Sequence, residues 1–391
     1  MTKKSFTITV LMLVLAMVSS FITGCSSKTA VNSNDIKIGA NIELTGSVAN
    51  YGEQALSGLK LAVKEVNAAG GVLGKQITLV VADNKSEPSE ATNATTKLIT
   101  QDKVVAIIGP AVSSNFLAAS QVAQDNKIPA LTPTGTNEKI TFENGKVKPY
   151  SFRSCFTDPF QGTVMANFAA NSLKAKTAAI YIDSSSDYSK GLAEVFEKVF
   201  TQNGGTIVAK EAYLQKDSDF RAGLTKIKST NPETVFIPGY YEEVGKIVKQ
   251  SRELGIQIPL LGTDGWTDGK LVEIAGVDAL NNTYYSNHFS AQDKDTNVAK
   301  FVEAYKKEYG KEPSVFAALG YDAGLLMIDA IKRAGSAEPQ KIRDALENTK
   351  NFQASTGLLS LDANHNPIKT AFILARQNGV EMFKEKINPC L

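Results

Sequence analysis

The chain has 391 residues, room for roughly two domains at the usual size of about 100–200 residues each. Hydrophobic residues make up 43% of it, too many for a disordered chain. Basic and acidic residues nearly balance, 42 against 40, and no basic block is interleaved with aromatics, which argues against a nucleic-acid partner. Only two histidines occur, His288 and His365. Neither has companion ligands in sequence, so both are read as structural or surface residues, and no metal or cofactor is expected.

The N-terminus carries a targeting signature. Lys3 and Lys4 precede an apolar run from Phe6 to Val18, too short and wrongly flanked for an ordinary spanning helix. Ile22-Thr23-Gly24-Cys25 then resembles a bacterial lipobox. That resemblance implies a signal peptide over 1–24, a lipidated Cys25 and a tether over 25–34. An ordinary signal peptide that happens to contain a cysteine is the alternative. Cys155 and Cys390 remain; an exported protein can pair such residues, but nothing in the sequence brings them together.

The alternation begins at Ile36–Ala40, read as a first strand, followed by a Gly/Ser/Asn-rich loop over 43–52. A helical pattern from Gln54 stops at Asn67-Ala68-Ala69-Gly70-Gly71. A strand is read at Ile77–Ala82, a helix at Pro88–Gln101 and a strand from Val104 to Ile108. That strand opens into Gly109-Pro110-Ala111-Val112-Ser113-Ser114-Asn115, with helix periodicity from Phe116. Ile128–Thr132 is a strand ending in Pro133-Thr134-Gly135-Thr136-Asn137. The series restarts after Arg153: a helix over Asp158–Leu173, strands at Thr177–Ile182 and Thr206–Tyr213, and one at Thr234–Pro238 opening into Gly239-Tyr240-Tyr241. Pro259-Leu260-Leu261 leads into Gly262-Thr263-Asp264-Gly265-Trp266. Asn282–Phe289 reads as extended, 297–309, 316–334 and 338–348 as helical, and Gly357–Ala375 as a polar hairpin-like end. Alternating strand and helix means α/β, with two halves each holding a parallel-rich sheet.

Ligands of such sheets sit beyond the C-terminal strand ends. Ser113 and the free N–H groups of the helix start there suit an anion. No Walker lysine follows, so a small carboxylate fits better than a polyphosphate. Ser113 and Ser114 can equally serve only as caps. The Thr136 hydroxyl both donates and accepts, so it can touch a carboxylate and an ammonium together. Asp264 offers a carboxylate to a cation, or forms an ordinary Asx turn. Tyr51, Tyr188 and Tyr240 offer aromatic walls, or are half-buried loop residues. This inventory matches a zwitterionic α-amino acid with an apolar side chain.

Taken in order, the motifs Thr45-Gly46-Ser47-Val48-Ala49-Asn50-Tyr51-Gly52, Asn67-Ala68-Ala69-Gly70-Gly71, Ile108-Gly109-Pro110 with Ser113-Ser114, Pro133-Thr134-Gly135-Thr136-Asn137, Asp187-Tyr188, Gly239-Tyr240-Tyr241 and Gly262-Thr263-Asp264-Gly265 resemble the leucine/isoleucine/valine-binding family, the type I periplasmic-type receptors of ABC importers. The likeness covers nearly all of the chain beyond the signal. It implies a two-lobed fold with three crossovers, near 152–155, 285–289 and 358–361. Residues 35–152 with 288–358 would form lobe 1, and 153–287 with 359–391 lobe 2. It implies that Ser113 and the Thr136 amide hold a carboxylate. The Thr134 carbonyl, the Thr136 hydroxyl and Asp264 would hold an ammonium. Tyr51, Tyr188 and Tyr240 would wall the side chain, with Val112 and Phe316 beside it. Two departures stand out: Asp264 replaces a glutamate frequent in that family, so the ammonium must come closer or be bridged by water, and Thr134 replaces a smaller alanine.

The function so implied is that of a non-enzymatic, extracytoplasmic receptor, monomeric and held to the membrane through Cys25. It would capture a branched-chain L-amino acid by cleft closure and hand it to an ABC permease. A receptor of the same family for an amide, urea or aromatic acid is one alternative. An exported α/β hydrolase is another, opposed by the missing Gly-x-Ser-x-Gly elbow and the scarce histidine. A sensory domain ranks last.

Overall fold

The computed structural model describes residues 35–291 and 295–388. The expected signal peptide, Cys25 and the tether lie outside these residues, as does Cys390. Cys155 is a buried free thiol.

Two sheets carry the fold. The first has five strands, all parallel: β1 (Ile36–Ile42), β2 (Ile77–Asp83), β3 (Ala106–Ile108), β4 (Ala130–Thr132) and, after a small two-stranded ladder of β5 (Phe142–Glu143) and β6 (Lys146–Val147), β7 (Ser151–Arg153). Their spatial order is β2-β1-β3-β4-β7. The central strand β3 is wholly apolar and fully buried, as expected where helices cover both faces of a parallel sheet. The second sheet contains β8 (Thr177–Asp183), β9 (Thr206–Tyr213), β10 (Thr234–Phe236), β11 (Leu260–Gly262) and β12 (Thr283–Asn287), mutually parallel. Two antiparallel strands, Ala371–Gln377 and Val380–Ile387, close its far edge.

The chain passes between the sheets three times. It leaves the first sheet after Arg153, returns after Asn287, and leaves again late. Leu359 and Leu361 still pack in the first sheet's core, and the buried His365 ring stacks on Phe152 with centroids 4.2 Å apart. The last passage therefore falls between Pro367 and Ala371, beyond the boundary expected at 358. The expected hairpin over 357–375 resolves into two: Phe352–Ala354 with Gly357–Leu359, and the 371–387 pair. The helix read over 158–173 is an α-helix only to Asn167, followed by a π-helical turn, Phe168–Ser172. Composition alone does not distinguish these turns.

The last long helix, Val315–Ala334, returns to the first lobe and packs on Ala49–Ala68. Its start is capped by the Ser314 hydroxyl, which accepts from Ala317 N at 3.2 Å. The two helices meet backbone to backbone: a Cβ on Gly58 would lie 1.8 Å from Ala317 O, and one on Gly320 2.0 Å from Ala55 O. Asp322 on this helix is structural, accepting from the Ser355 and Thr356 amides at 2.6 and 3.1 Å. Buried Lys369 donates to Ser154 O and Thr356 Oγ1. These bonds tie the first and last passages together.

Candidate functional site

The C-terminal ends of both parallel sheets face one another, and a small, tightly closed cavity lies between them. Tyr51, Ala111, Val112, Ser113, Thr134 and Phe316 line it from the first lobe; Tyr188, Tyr240, Asp264 and Gly265 line it from the second. Each follows a strand end or begins the helix after it, apart from Phe316 on the returning helix. Of the candidate residues, Thr136 alone is absent from this lining.

The anion side is one contiguous stretch. After Ile108 the backbone turns through Gly109 at φ +94°, where a Cβ would sit 2.0 Å from Asn41 O; only glycine fits. The helix Ser113–Asp125 follows, with Val112 at its N-cap and no side-chain cap bond. Ser113 is therefore not spent on capping. Its Oγ accepts from Asn137 N at 3.2 Å, which leaves the hydroxyl proton for another acceptor. Behind the turn lies a fully buried carboxylate, Glu43, that sequence reasoning missed. Glu43 accepts from Ala111 N (3.0 Å), Val112 N (3.3 Å) and Asn115 Nδ2 (2.9 Å). Burial pushes Glu43 above the usual carboxylate range, against the pull of those donors. The only sequence hint was an acidic residue just past the first strand; its partners lie about 70 positions away.

The neighbouring Thr134–Asn137 loop is held by another missed residue. Arg153 is fully buried and donates to Gly135 O (3.0 Å) and Asn137 O (2.6 Å). Thr134 is committed as a donor, its Oγ1 bonding Ala111 O at 2.6 Å. The Thr136 hydroxyl is buried and faces the Asp158 carboxyl, but falls outside hydrogen-bonding geometry; Thr136 Oγ1 and Asp158 Oδ2 are both without a partner.

The opposite side is assembled from scattered side chains. Asp264 begins a single 3₁₀ turn, Asp264–Trp266. Its Oδ1 accepts from Tyr188 OH at 2.5 Å and its Oδ2 meets His288 Nε2 at 2.9 Å. Of the two expectations for His288, structural or surface, the surface one does not hold: it is buried at the back of this site. Asp158 lies in the same buried cluster. Burial pushes its carboxyl up to about 7, and the Asp264 charge adds to that. Tyr188 and Tyr240 stack with centroids 4.9 Å apart, and Tyr51 meets Phe316 at 4.3 Å and Tyr240 edge-on at 5.7 Å. Burial holds all three phenols well above their ordinary values, so they stay protonated donors.

The two lobes also bond directly across the cleft. Tyr51 OH donates to Gly265 O (2.5 Å) and accepts from Tyr241 N (3.0 Å). Asp187 N donates to Ser114 Oγ (3.0 Å), Asn137 Nδ2 to Asp187 O (2.7 Å), and Gln54 Nε2 to Asp268 Oδ2 (2.9 Å). This arrangement has hydrogen-bond donors at one end, a carboxylate at the other and aromatic faces between. Among the described residues no cluster of three or more His, Cys, Asp or Glu could hold a metal ion.

Residues 35–381 match the family described as periplasmic binding protein. The chain belongs to that family. It is similar to a leucine binding protein, LivK, of Thermotoga maritima, at 37% identity and TM-score 0.86, covering 90% of this chain and 99% of that one. It is also similar to LivJ of Streptococcus pneumoniae, a branched-chain amino acid transporter substrate binding protein solved in complex with isoleucine, at 41% identity and TM-score 0.84, covering 91% and 100%. Among curated relatives, the Leu/Ile/Val-binding protein BraC3 of Rhizobium johnstonii is 32% identical over 324 residues, 83% of this chain and 86% of that protein. The family is one of solute-binding proteins, not enzymes.

Proposed function

We infer that the protein is the extracytoplasmic receptor of an ABC importer and captures a branched-chain L-amino acid between its lobes. One observation carries this reading: Ser113 and Asp264 lie on opposite walls of one small cavity whose remaining lining is largely aromatic and aliphatic. An α-amino acid presents a carboxylate, an ammonium and an apolar side chain in the same compact arrangement. The LivJ isoleucine complex and the leucine-binding LivK support the ligand class.

In this reading Ser113 and the Thr136 amide take the carboxylate, while Asp264 and the Thr134 carbonyl take the ammonium. The aliphatic chain lies against Tyr51, Val112, Tyr188, Tyr240 and Phe316. The first lobe receives the amino acid and the second closes over it, turning about the three passages. Closure removes water, which strengthens every charge interaction inside. It also completes the bonds of Tyr51 to Gly265 and Asp187 to Ser114. The closed receptor, a monomer, then presents its ligand to the permease, and a diacylglycerol on Cys25 keeps it at the membrane.

Calorimetry across the twenty amino acids, on protein beginning after Cys25, tests the ligand. Tightest binding of Leu, Ile or Val is expected. No heat with Leu, Ile, Val or Ala, or preference for an aromatic acid or urea, would overturn it. Radiolabelled palmitate incorporation that survives in Cys25→Ala would contradict the anchor.

A further inference from the structure

The second wall has a support that its lining residues do not explain. His288 follows the strand Thr283–Asn287 at the second passage between the lobes, and its side chain is 1% exposed. The ring lies flat on Phe156 of the first passage, with centroids 3.4 Å apart and planes 21° apart. Its edge reaches Asp264 Oδ2 at 2.9 Å. A carboxylate only accepts, so the ring must carry its proton on Nε2 and donate it there. Burial holds His288 below the usual imidazole value even with Asp264 beside it, so near neutral pH the ring is an uncharged donor.

A carboxylate has about four lone-pair positions. Tyr188 OH takes one on Oδ1 and His288 takes one on Oδ2, which leaves others for a cation in the cavity. Asp also has one methylene less than Glu, and so fewer rotamers to search. Two donors on its two oxygens hold it in a single pose, which lowers the cost of binding. A neutral donor does this without cancelling the negative charge that an ammonium needs.

We propose that His288 is a positioning residue of the ammonium subsite, which holds the Asp264 carboxylate against the ligand's ammonium group from the hinge. This rests on reading the cavity as an amino-acid site. His288 touches no ligand; it acts through Asp264 and ties that contact to both passages through Phe156.

The test compares L-leucine with L-2-hydroxy-4-methylpentanoate, which keeps the carboxylate and side chain but replaces the ammonium with a hydroxyl. His288→Phe keeps a ring on Phe156 and removes the donor. His288→Gln keeps an N–H at about the reach of Nε2. His288→Phe is expected to weaken leucine about ten- to hundredfold, the usual value of a hydrogen bond to a charged group, and the hydroxy acid less than about threefold. His288→Gln should recover most of the leucine affinity. Equal losses on both ligands would make His288 a packing residue and overturn the proposal, as would unchanged leucine binding in His288→Phe. Should His288→Phe fail to fold, His288→Gln and His288→Ala decide the same comparison. Wild-type protein that binds no amino acid would instead defeat the underlying reading, a result seen before any variant is made.

Discussion

The two walls of the cavity are built by different means. The anion side of the first-lobe wall is a single stretch of backbone, Gly109 to Asn115, whose shape is imposed by a glycine-only turn and by Glu43 behind it. The second-lobe wall is a set of side chains from separate elements, Tyr188 and Tyr240 from helix starts and Asp264 from a 3₁₀ turn, with His288 behind Asp264 at a passage between lobes. The first offers donors from main chain and hydroxyl. The second offers a carboxylate held by two donors. The first wall should therefore fail through loss of stability, and the second through loss of ligand charge recognition.

The largest expected effect is on the second wall. Asp264→Asn should weaken leucine by about a hundredfold or more, because removing one partner of a buried charge pair costs about 2–5 kcal/mol; its amide NH₂, facing Tyr188 OH or His288 Nε2, should also lower the melting temperature without amino acid by the equivalent of about 1–3 kcal/mol. Calorimetry and thermal melts together check this. Next is Asp158, whose carboxyl sits at about 7 in the fold against an ordinary 3.8. Between these values the folded chain keeps a proton that the unfolded chain has released, so stability falls as pH rises through that window. Asp158→Asn removes this penalty. Denaturation across pH should show its gain near zero at pH 4 and growing to a few kcal/mol by pH 8.

On the first wall, Glu43→Gln puts an amide NH₂ where an acceptor is needed by Ala111 N, Val112 N or Asn115 Nδ2. One unsatisfied buried donor costs about 1–3 kcal/mol, read as a lower urea midpoint, with leucine affinity falling as the turn loosens. The smallest effect belongs to Lys216→Ala. Lys216 pairs with Glu87 at 2.6 Å between the lobes, but both are exposed and screened by solvent. Affinity at physiological salt should stay within about twofold. A larger change would mean that rim charges, rather than the walls, govern closure.

The contrast also explains what could be read from the sequence. The α/β series was legible from strand–helix periodicity, and the strand-end rule pointed to Tyr51, Ser113, Thr134, Tyr188, Tyr240 and Asp264, which line one cavity. Glu43, Arg153 and His288 were not legible, because each acts through partners brought close only by the fold: Glu43 on residues 111–115, Arg153 on the carbonyls of 135 and 137, His288 on Asp264. Thr136 shows the reverse case. Its position at a strand end suggested a hydroxyl aimed at ligand, but that hydroxyl is turned toward Asp158. The C-terminal hairpins were misjudged because short polar strands leave almost no periodicity.

The division of labour between the walls is tested most directly by one crossed measurement. Wild type, Ser113→Ala and Asp264→Asn are titrated with L-leucine, with L-leucinamide, which lacks the carboxylate, and with L-2-hydroxy-4-methylpentanoate, which lacks the ammonium. Ser113→Ala should weaken leucine and the hydroxy acid while sparing the amide, and Asp264→Asn should weaken leucine and the amide while sparing the hydroxy acid. If both variants weaken all three ligands alike, the walls do not divide the zwitterion and the account is wrong.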